Sequence, residues 1–297
     1  METTINVKRI KDFKPIIPKK SAFTIETSEH LPKMNQLIIV SARKGGGKSV
    51  FITTLLNKLL EEGVIDVVKL CSSTYWSNKE IFEPLHLNPE TDVIEPDKDS
   101  IKKLIEMGQK DFDEWDEFKE KKKLYKIYQK MMKSETPLHS IDPEIMMQFL
   151  EMGFFEEAPK WKYEYERPPR IFWLFDDAMG TELMNQKSGL MNACIKHRHY
   201  FNGAGVSIAI LTQSYCSIGS IPRAIRENCS LLCLGKCKDD NQLEKIHQEI
   251  GADIDMDNFD KLFKYATETP HSFLVIDFSP KSPEKTFRKN WDEYISI

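Results

Sequence analysis

Apolar residues gather in six short runs, at 36–40, 64–71, 171–175, 206–211, 230–234 and 272–278. They are rich in Val, Ile and Leu, and uninterrupted runs of this kind read as strands buried on both faces. Helical stretches with polar or small lead-ins follow most of them, the first spanning about 48–62 and closed by Gly63. Such alternation predicts an α/β fold: a mostly parallel central sheet flanked by helices.

Two regions depart from this rhythm. Residues 1–35 hold Lys8, Arg9, Lys11, Lys14, Lys19 and Lys20 among several prolines. They read as an N-terminal arm packed on the domain or on a neighbour, or as a solvated basic tail. Residues 97–167 are densely charged and place Phe112, Trp115, Phe118 and Tyr125 at helix-compatible spacing. That predicts an amphipathic helical insertion whose aromatic stripe docks on its own domain or on a partner. The expected organisation is an arm over 1–35 and one domain over 36–297. This domain carries the insertion at about 97–167 and a C-terminal extension over about 236–297. No internal repeat is visible.

The first strand run leads directly into the chemistry. From Ala42 to Ser49 the chain reads A-x-x-x-x-G-K-S between a strand and a helix, the setting of a phosphate-binding P-loop. Ala42, Arg43, Lys44, Gly45, Gly46, Gly47, Lys48, Ser49 and Val50 form the expected cradle for a nucleotide, ATP. Gly45 and Gly46 let the backbone bend and turn its N–H groups toward phosphate oxygens, and the helix start adds its positive dipole end. Lys48 is expected to reach the β and γ phosphates, and the Ser49 hydroxyl to ligate Mg²⁺.

The run at 171–175 delivers two acids at its carboxyl end, where ligands bind in open α/β sheets. Asp176 is the expected Mg²⁺ acid, acting through water or Ser49, and Asp177 the expected general base for an attacking water. The run at 206–211 ends in Thr212 and Gln213. If that strand lies between the P-loop strand and the acid strand, Gln213 senses the γ-phosphate; otherwise it caps a strand end. Arg198, between the acids and Gln213, suits an arginine at a subunit edge that completes the neighbour's site. Arg223 and Arg226 compete for that role, and each could equally be an ordinary surface or structural arginine. His197 and His199 beside Cys194 raise a zinc reading that lacks a fourth donor.

Composition narrows the classes. A chain of 297 residues with 40% hydrophobic content can bury a large core. A net charge of −4 and a pI near 6.0 exclude a chain that coats nucleic acid over its whole surface, so any DNA contact is local. No apolar run approaches the roughly 20 residues of a membrane span, and no signal-type apolar region opens the chain; an intracellular soluble protein is expected. Six cysteines occur without a C-x-x-C pair. Cys229, Cys233 and Cys237 recur every fourth position, but a buried strand over 230–235 sets neighbouring thiols at positions poorly suited to one tetrahedral ion, so reduced, mostly buried thiols are expected.

Taken together, Ala42 to Ser49, Phe175 with Asp176 and Asp177, Arg198 with His199, and Thr212 with Gln213 resemble a known family. They are similar to the genome-packaging ATPases of large double-stranded DNA viruses, the poxvirus-type members of the FtsK/HerA superfamily, and the related ATPases of virophages. The resemblance covers about residues 36 to 235. Ala42 replaces the usual first glycine, and Asp177 stands where many relatives place glutamate. The resemblance implies a RecA-like P-loop fold with the additional strand, and a homo-oligomeric ring of five or six subunits. Such a ring threads double-stranded DNA through its pore by ATP hydrolysis, with a capsid or portal-like protein as partner. It also implies residence in the host-cell cytoplasm, a virus factory or the virion. A pore loop would contact DNA phosphates; residues 184–190, with Lys187, are the candidate, and a helix-start loop without DNA contact is the alternative. Of other classes, a small-molecule or nucleotide kinase would also use Lys48, Ser49 and Asp176. A GTPase is disfavoured by the missing Asn-Lys-x-Asp motif, and a non-enzymatic nucleotide-binding scaffold by the intact Lys48, Ser49 and both acids.

Overall fold

The structure is a computed structural model, which describes residues 26–133, 142–184, 188–216, 220–237, 241–250 and 254–296. Its strands are β1 (Leu37–Ser41), β2 (Val67–Ser72), β3 (Val93–Ile94), β4 (Ile171–Asp176), β5 (Val206–Thr212), β6 (Leu231–Leu234), β7 (Leu274–Asp277), β8 (Phe287–Lys289) and β9 (Glu293–Ile295). They form one nine-stranded sheet in the order β3-β2-β4-β5-β1-β6-β7-β8-β9. The first six strands are mutually parallel and the last three antiparallel. The mostly parallel sheet expected from the buried apolar runs is therefore present, and its C-terminal strands extend the same sheet.

Side-chain alternation divides the core into two layers. On β4, Phe172 and Leu174 point to one face and join Ile52, Leu55, Leu56 and Leu59 of α1 (Lys48–Glu61). Trp173 and Phe175 point to the other. That second layer is covered by α3 (Ser100–Lys133), α5 (Leu190–Lys196), α7 (Arg223–Glu227), α8 (Asn241–Ile250) and α9 (Met256–Ala266). The remaining helices are α2 (Lys79–Phe82), α4 (Pro143–Glu151) and the short α6 (Tyr200–Gly203). The apolar run at 64–71 starts as something other than a strand. The amides of Val64 and Ile65 donate to the Leu59 carbonyl and close the end of α1, and β2 begins only at Val67. Burial of Val64 and Ile65 made the two functions look alike in sequence.

The insertion is built on α3, 34 residues long and therefore about 50 Å at 1.5 Å per residue. Its aromatic stripe docks on the same chain. Phe112 stacks on Phe201 with ring centroids 5.0 Å apart, Trp115 and Phe118 pack around Trp161, and Tyr125 meets Phe154 edge-on. Gly108, one turn before Phe112, lets the helix approach: a Cβ there would lie 2.2 Å from Phe201 Cζ. Gly108→Ala would ordinarily gain about 1 kcal/mol of helix propensity. Here the clash with a ring already stacked on Phe112 outweighs it, and a net loss of about 1–2 kcal/mol is expected in chemical denaturation; a stabilised variant would contradict this packing.

Residues 26–35 lie against the C-terminal extension. The Lys281 ammonium donates to the carbonyl of Ser28 and, at 2.9 Å, to that of Thr27. Arg288 donates to the His30 carbonyl at 2.7 Å, and Lys285 pairs with Glu29 at 2.5 Å. The rest of the basic arm, residues 1–25, lies outside the described residues. The six cysteines are thiols outside any disulfide, with Cys71, Cys194, Cys229 and Cys233 buried. No cluster of three or more His, Cys, Asp or Glu that could hold a metal exists among the described residues. His197 is buried and its Nδ1 bonds the Val206 carbonyl at 2.8 Å, so it braces the start of β5. No helix among the described residues is long and apolar enough to cross a membrane.

Candidate nucleotide site

The P-loop turns from β1 into α1 at the carboxyl edge of the parallel strands. Gly45 and Gly47 have φ of 71° and 85°, a left-handed backbone that glycine adopts without steric cost. Gly46 is required for a different reason: its Cβ would lie 2.8 Å from the Arg43 carbonyl oxygen and 2.9 Å from Ala42 Cβ. Ala42 is itself buried and within 2.7 Å of a Cβ built at Gly235. The alanine at the first motif position is thus tolerated because Gly235 faces it.

Lys48 Nζ donates to the carbonyls of Ala42 at 3.1 Å and Arg43 at 3.4 Å, folding back over the loop. Burial pulls its pKa below the usual lysine value, while Asp176 and Asp177 push it up. Across the cleft, β5 lies between β1 and β4, and this brings three loops together. Lys44 to Val50, Asp176, Asp177 and Gln213 line one cleft of about 390 Å³, with Thr74, Asn78, Ile81, Met179 and Leu211. Ser49 Oγ lies 3.2 and 3.3 Å from the two carboxylate oxygens of Asp176.

Asp176 is 4% exposed. Burial raises its pKa from 3.8 to about 6; the Ser49 hydrogen bond lowers it, Asp177 raises it, and Lys48 lowers it. A buried carboxylate facing a hydroxyl and so incompletely compensated is a donor set that fits a divalent cation, and Ser49 and Asp176 would hold Mg²⁺. The folded state holds the Asp176 proton to higher pH than the unfolded chain does. This contribution is therefore most favourable below the unfolded pKa near 4 and is lost as pH rises toward about 6. Asp176→Asn should consequently be more stable than the wild type at pH 7.5 without nucleotide, by on the order of 2 kcal/mol in chemical denaturation, and lose that advantage near pH 4. Equal stability of the two chains at pH 7.5 would contradict the buried charge.

Asp177 is exposed and adopts φ 51°, an uncommon conformation for a residue with a side chain. Its carbonyl accepts from Ser73 Oγ at 3.4 Å. The turn separates the two acids: Asp176 stays in the sheet edge and Asp177 stands in the cleft. Thr212 Oγ1 donates to the Ser214 carbonyl at 2.7 Å and the Thr212 carbonyl receives the Ala42 amide, which fixes the strand tip that carries Gln213.

The arginines do not join this cleft within one chain. Arg198 is exposed and lines a wider cleft of about 960 Å³ with Gln36, Asn35, Ser279 and Lys281, at the amino edge of the strands. Arg226 is committed elsewhere: it makes a bidentate pair with Glu249 at 2.6 and 2.8 Å, donates to the Ile221 carbonyl and stands over the Tyr215 ring. Arg223 is exposed and pairs with Glu227 one turn on. Lys187 lies outside the described residues.

Several cleft residues escaped sequence reasoning. Thr74, Asn78 and Ile81 follow β2, and the rule that open sheets bind ligands beyond strand carboxyl ends could have found them. His271 has φ 63° and its ring packs on Gly47, 3.0–3.3 Å from where a Cβ would stand. Nothing in the sequence marks it, because it arrives through β7. Trp291 Nε1 donates to the Phe51 carbonyl at 2.9 Å and braces the first turn of α1 from the same extension.

A sheet with a strand inserted between the P-loop strand and the acid strand, carrying this loop, defines the additional-strand class of P-loop NTPase folds. Among solved structures, the chain is similar to the genome packaging NTPase B204 from Sulfolobus turreted icosahedral virus 2 in complex with ATP-gammaS. That match has 14% identity over 88% of this chain and 98% of that chain, with a TM-score of 0.45. It is also similar to the pCW3 conjugation coupling protein TcpA in its monomer form with ATPgS, at 15% identity over 92% of this chain and 63% of that one, TM-score 0.44. A third likeness is to EssC (ATPases 2 and 3) from Geobacillus thermodenitrificans, at 13% identity over 82% and 37% of the two chains, TM-score 0.42. No protein-family model matches the chain, and no curated protein matches it. The class rests on the strand order and the loop, not on these likenesses.

Proposed function

We propose that the chain is an ATP-hydrolysing motor of the FtsK/HerA type that translocates double-stranded DNA as a homo-oligomeric ring, packaging a viral genome into a preformed capsid. The observation that carries the enzymatic reading is the position of β5 between β1 and β4, which sets Gln213 in one cleft with Lys48, Ser49, Asp176 and Asp177. The P-loop amides and Lys48 hold the ATP phosphates. Ser49 and Asp176 would hold Mg²⁺, which would supply positive charge against the phosphates. Asp177, free of the sheet, takes the proton of the attacking water, and Gln213 orients that water. An acid and a polar residue aimed at water favour hydrolysis over transfer to an acceptor, so the kinase reading is second.

The DNA and ring parts of the reading are supported by the motif set that resembles the packaging ATPases. Arg198 is exposed on the edge opposite its own nucleotide cleft, so in this reading any site that it completes is a neighbour's. Displacement of a third strand from a long triplex-bearing duplex tests translocation. We expect ATP-dependent displacement that Asp177→Asn lowers at least about 100-fold; ATP consumption without displacement would contradict the motor.

A further inference from the structure

Among the described residues, nothing covers one apolar face of the distal part of the insertion. On α4, Phe149 is 1% exposed and packs inward on Tyr128 and Phe154. Met147 and Leu150, three residues apart and so on one helix face, are 55% and 61% exposed, and Phe155 just beyond is 44% exposed. Glu144 and Glu151, seven apart, flank that face on one side. A shallow groove of about 610 Å³ borders it at Met147, lined also by Pro143, Glu144, Ile145, Gln148 and Glu151. From Asp142 to Pro159 the chain has five acids, Asp142, Glu144, Glu151, Glu156 and Glu157, and no lysine or arginine; Lys160, the next residue, pairs with Glu157. The surface is an apolar strip with an acidic rim, and exposed patches of this kind mark interaction sites.

The same chain carries a segment of complementary chemistry. Residues 1–25 hold six basic residues against Glu2 and Asp12, interleaved with Ile5, Val7, Ile10, Phe13, Ile16 and Ile17. The sheet places the segment's point of departure and this face apart. The insertion leaves edge strand β3 and returns to β4. Residues 27–30, from which the segment departs, are pinned by Lys281, Lys285 and Arg288 beside β7, β8 and β9, at the other end of the sheet. A donor at one end and an acceptor at the other is the arrangement of a head-to-tail contact, which closes into a ring when the rotation permits.

We propose that residues 1–25 of one subunit dock on the Met147–Leu150 face of the next, as a basic apolar strap across the subunit boundary. The strap rests on the ring reading above and names the contact that holds it. Aromatic and methionine contacts supply the buried area, and the acidic rim selects the basic segment and steers it at low salt.

The test uses the full chain with a photo-crosslinking phenylalanine analogue at Phe13, mixed as light and isotopically heavy protein. Expected are crosslinks from position 13 to residues 145–155 joining light to heavy chains. Met147→Glu with Leu150→Glu, both at exposed positions, should weaken self-association in sedimentation at least about tenfold, and rising salt should act in the same direction. Crosslinks confined to one chain, or to another surface of an assembled ring, would overturn the strap while leaving the ring intact. A chain that stays monomeric with ATP and DNA at all concentrations would overturn both.

Discussion

Lys48→Ala is expected to lower ATP turnover about 10²–10³-fold or more, because in the proposed function the side chain supplies a preorganised positive charge to the β and γ phosphates. Its ammonium is held by only two loop carbonyls, at 3.1 and 3.4 Å, and is partly desolvated. It is therefore ready to exchange carbonyls for phosphate oxygens at little cost. Removing it also leaves Asp176 and Asp177 as a bare pair of acids facing an incoming polyphosphate, so nucleotide binding weakens along with turnover. Isothermal titration with a non-hydrolysable analogue and a steady-state assay separate the two effects. Turnover within tenfold of the wild type would mean that the cleft does not hold the phosphates in this way.

Arg198→Ala should have an effect of comparable or greater size on turnover alone, about 10³–10⁵-fold if it completes a neighbour's site. Arg198 stands on the amino edge of the sheet beside Gln36 and Ser279, whereas its own P-loop is on the carboxyl edge. ATP binding in the variant should therefore be unchanged, and added variant chains should poison wild-type assemblies in mixed samples. Turnover at the wild-type rate would reject Arg198 in this role. The alternatives behave differently. Arg226 is tied to Glu249 and Ile221, so Arg226→Ala should cost about 1–3 kcal/mol of stability before anything else. Arg223 is held only by an exposed pair with Glu227, and remains the arginine to try next.

What was legible in the sequence follows from how local the cause is. The P-loop depends on glycines at fixed spacing, and its strand-loop-helix setting is visible within fifteen or so residues. The buried runs behind β1, β4, β5 and β6 announce themselves because both faces of those strands are covered. The run at 64–71 misled by three residues, since Val64 and Ile65 are buried for the sake of closing α1. The edge strands β3 and β9, and β8 beside β9, are two or three residues long and largely only partly buried, too short to show a period. His271 and Trp291 reach the P-loop only through the antiparallel return of β7 and β8, a long-range consequence of topology that spacing does not record. The distance of Arg198 from its own cleft was equally invisible, because a position between two motifs in sequence says nothing about which edge of the sheet it occupies.

The most direct test of the account is steady-state ATP hydrolysis measured across protein concentration, with and without long duplex DNA, with Lys48→Ala as the blank. Sites shared between neighbours predict turnover per chain that climbs with concentration and climbs further with DNA. Turnover that is flat in both would contradict the DNA motor and return the cleft to a phosphoryl-transfer enzyme with an acceptor still to be found.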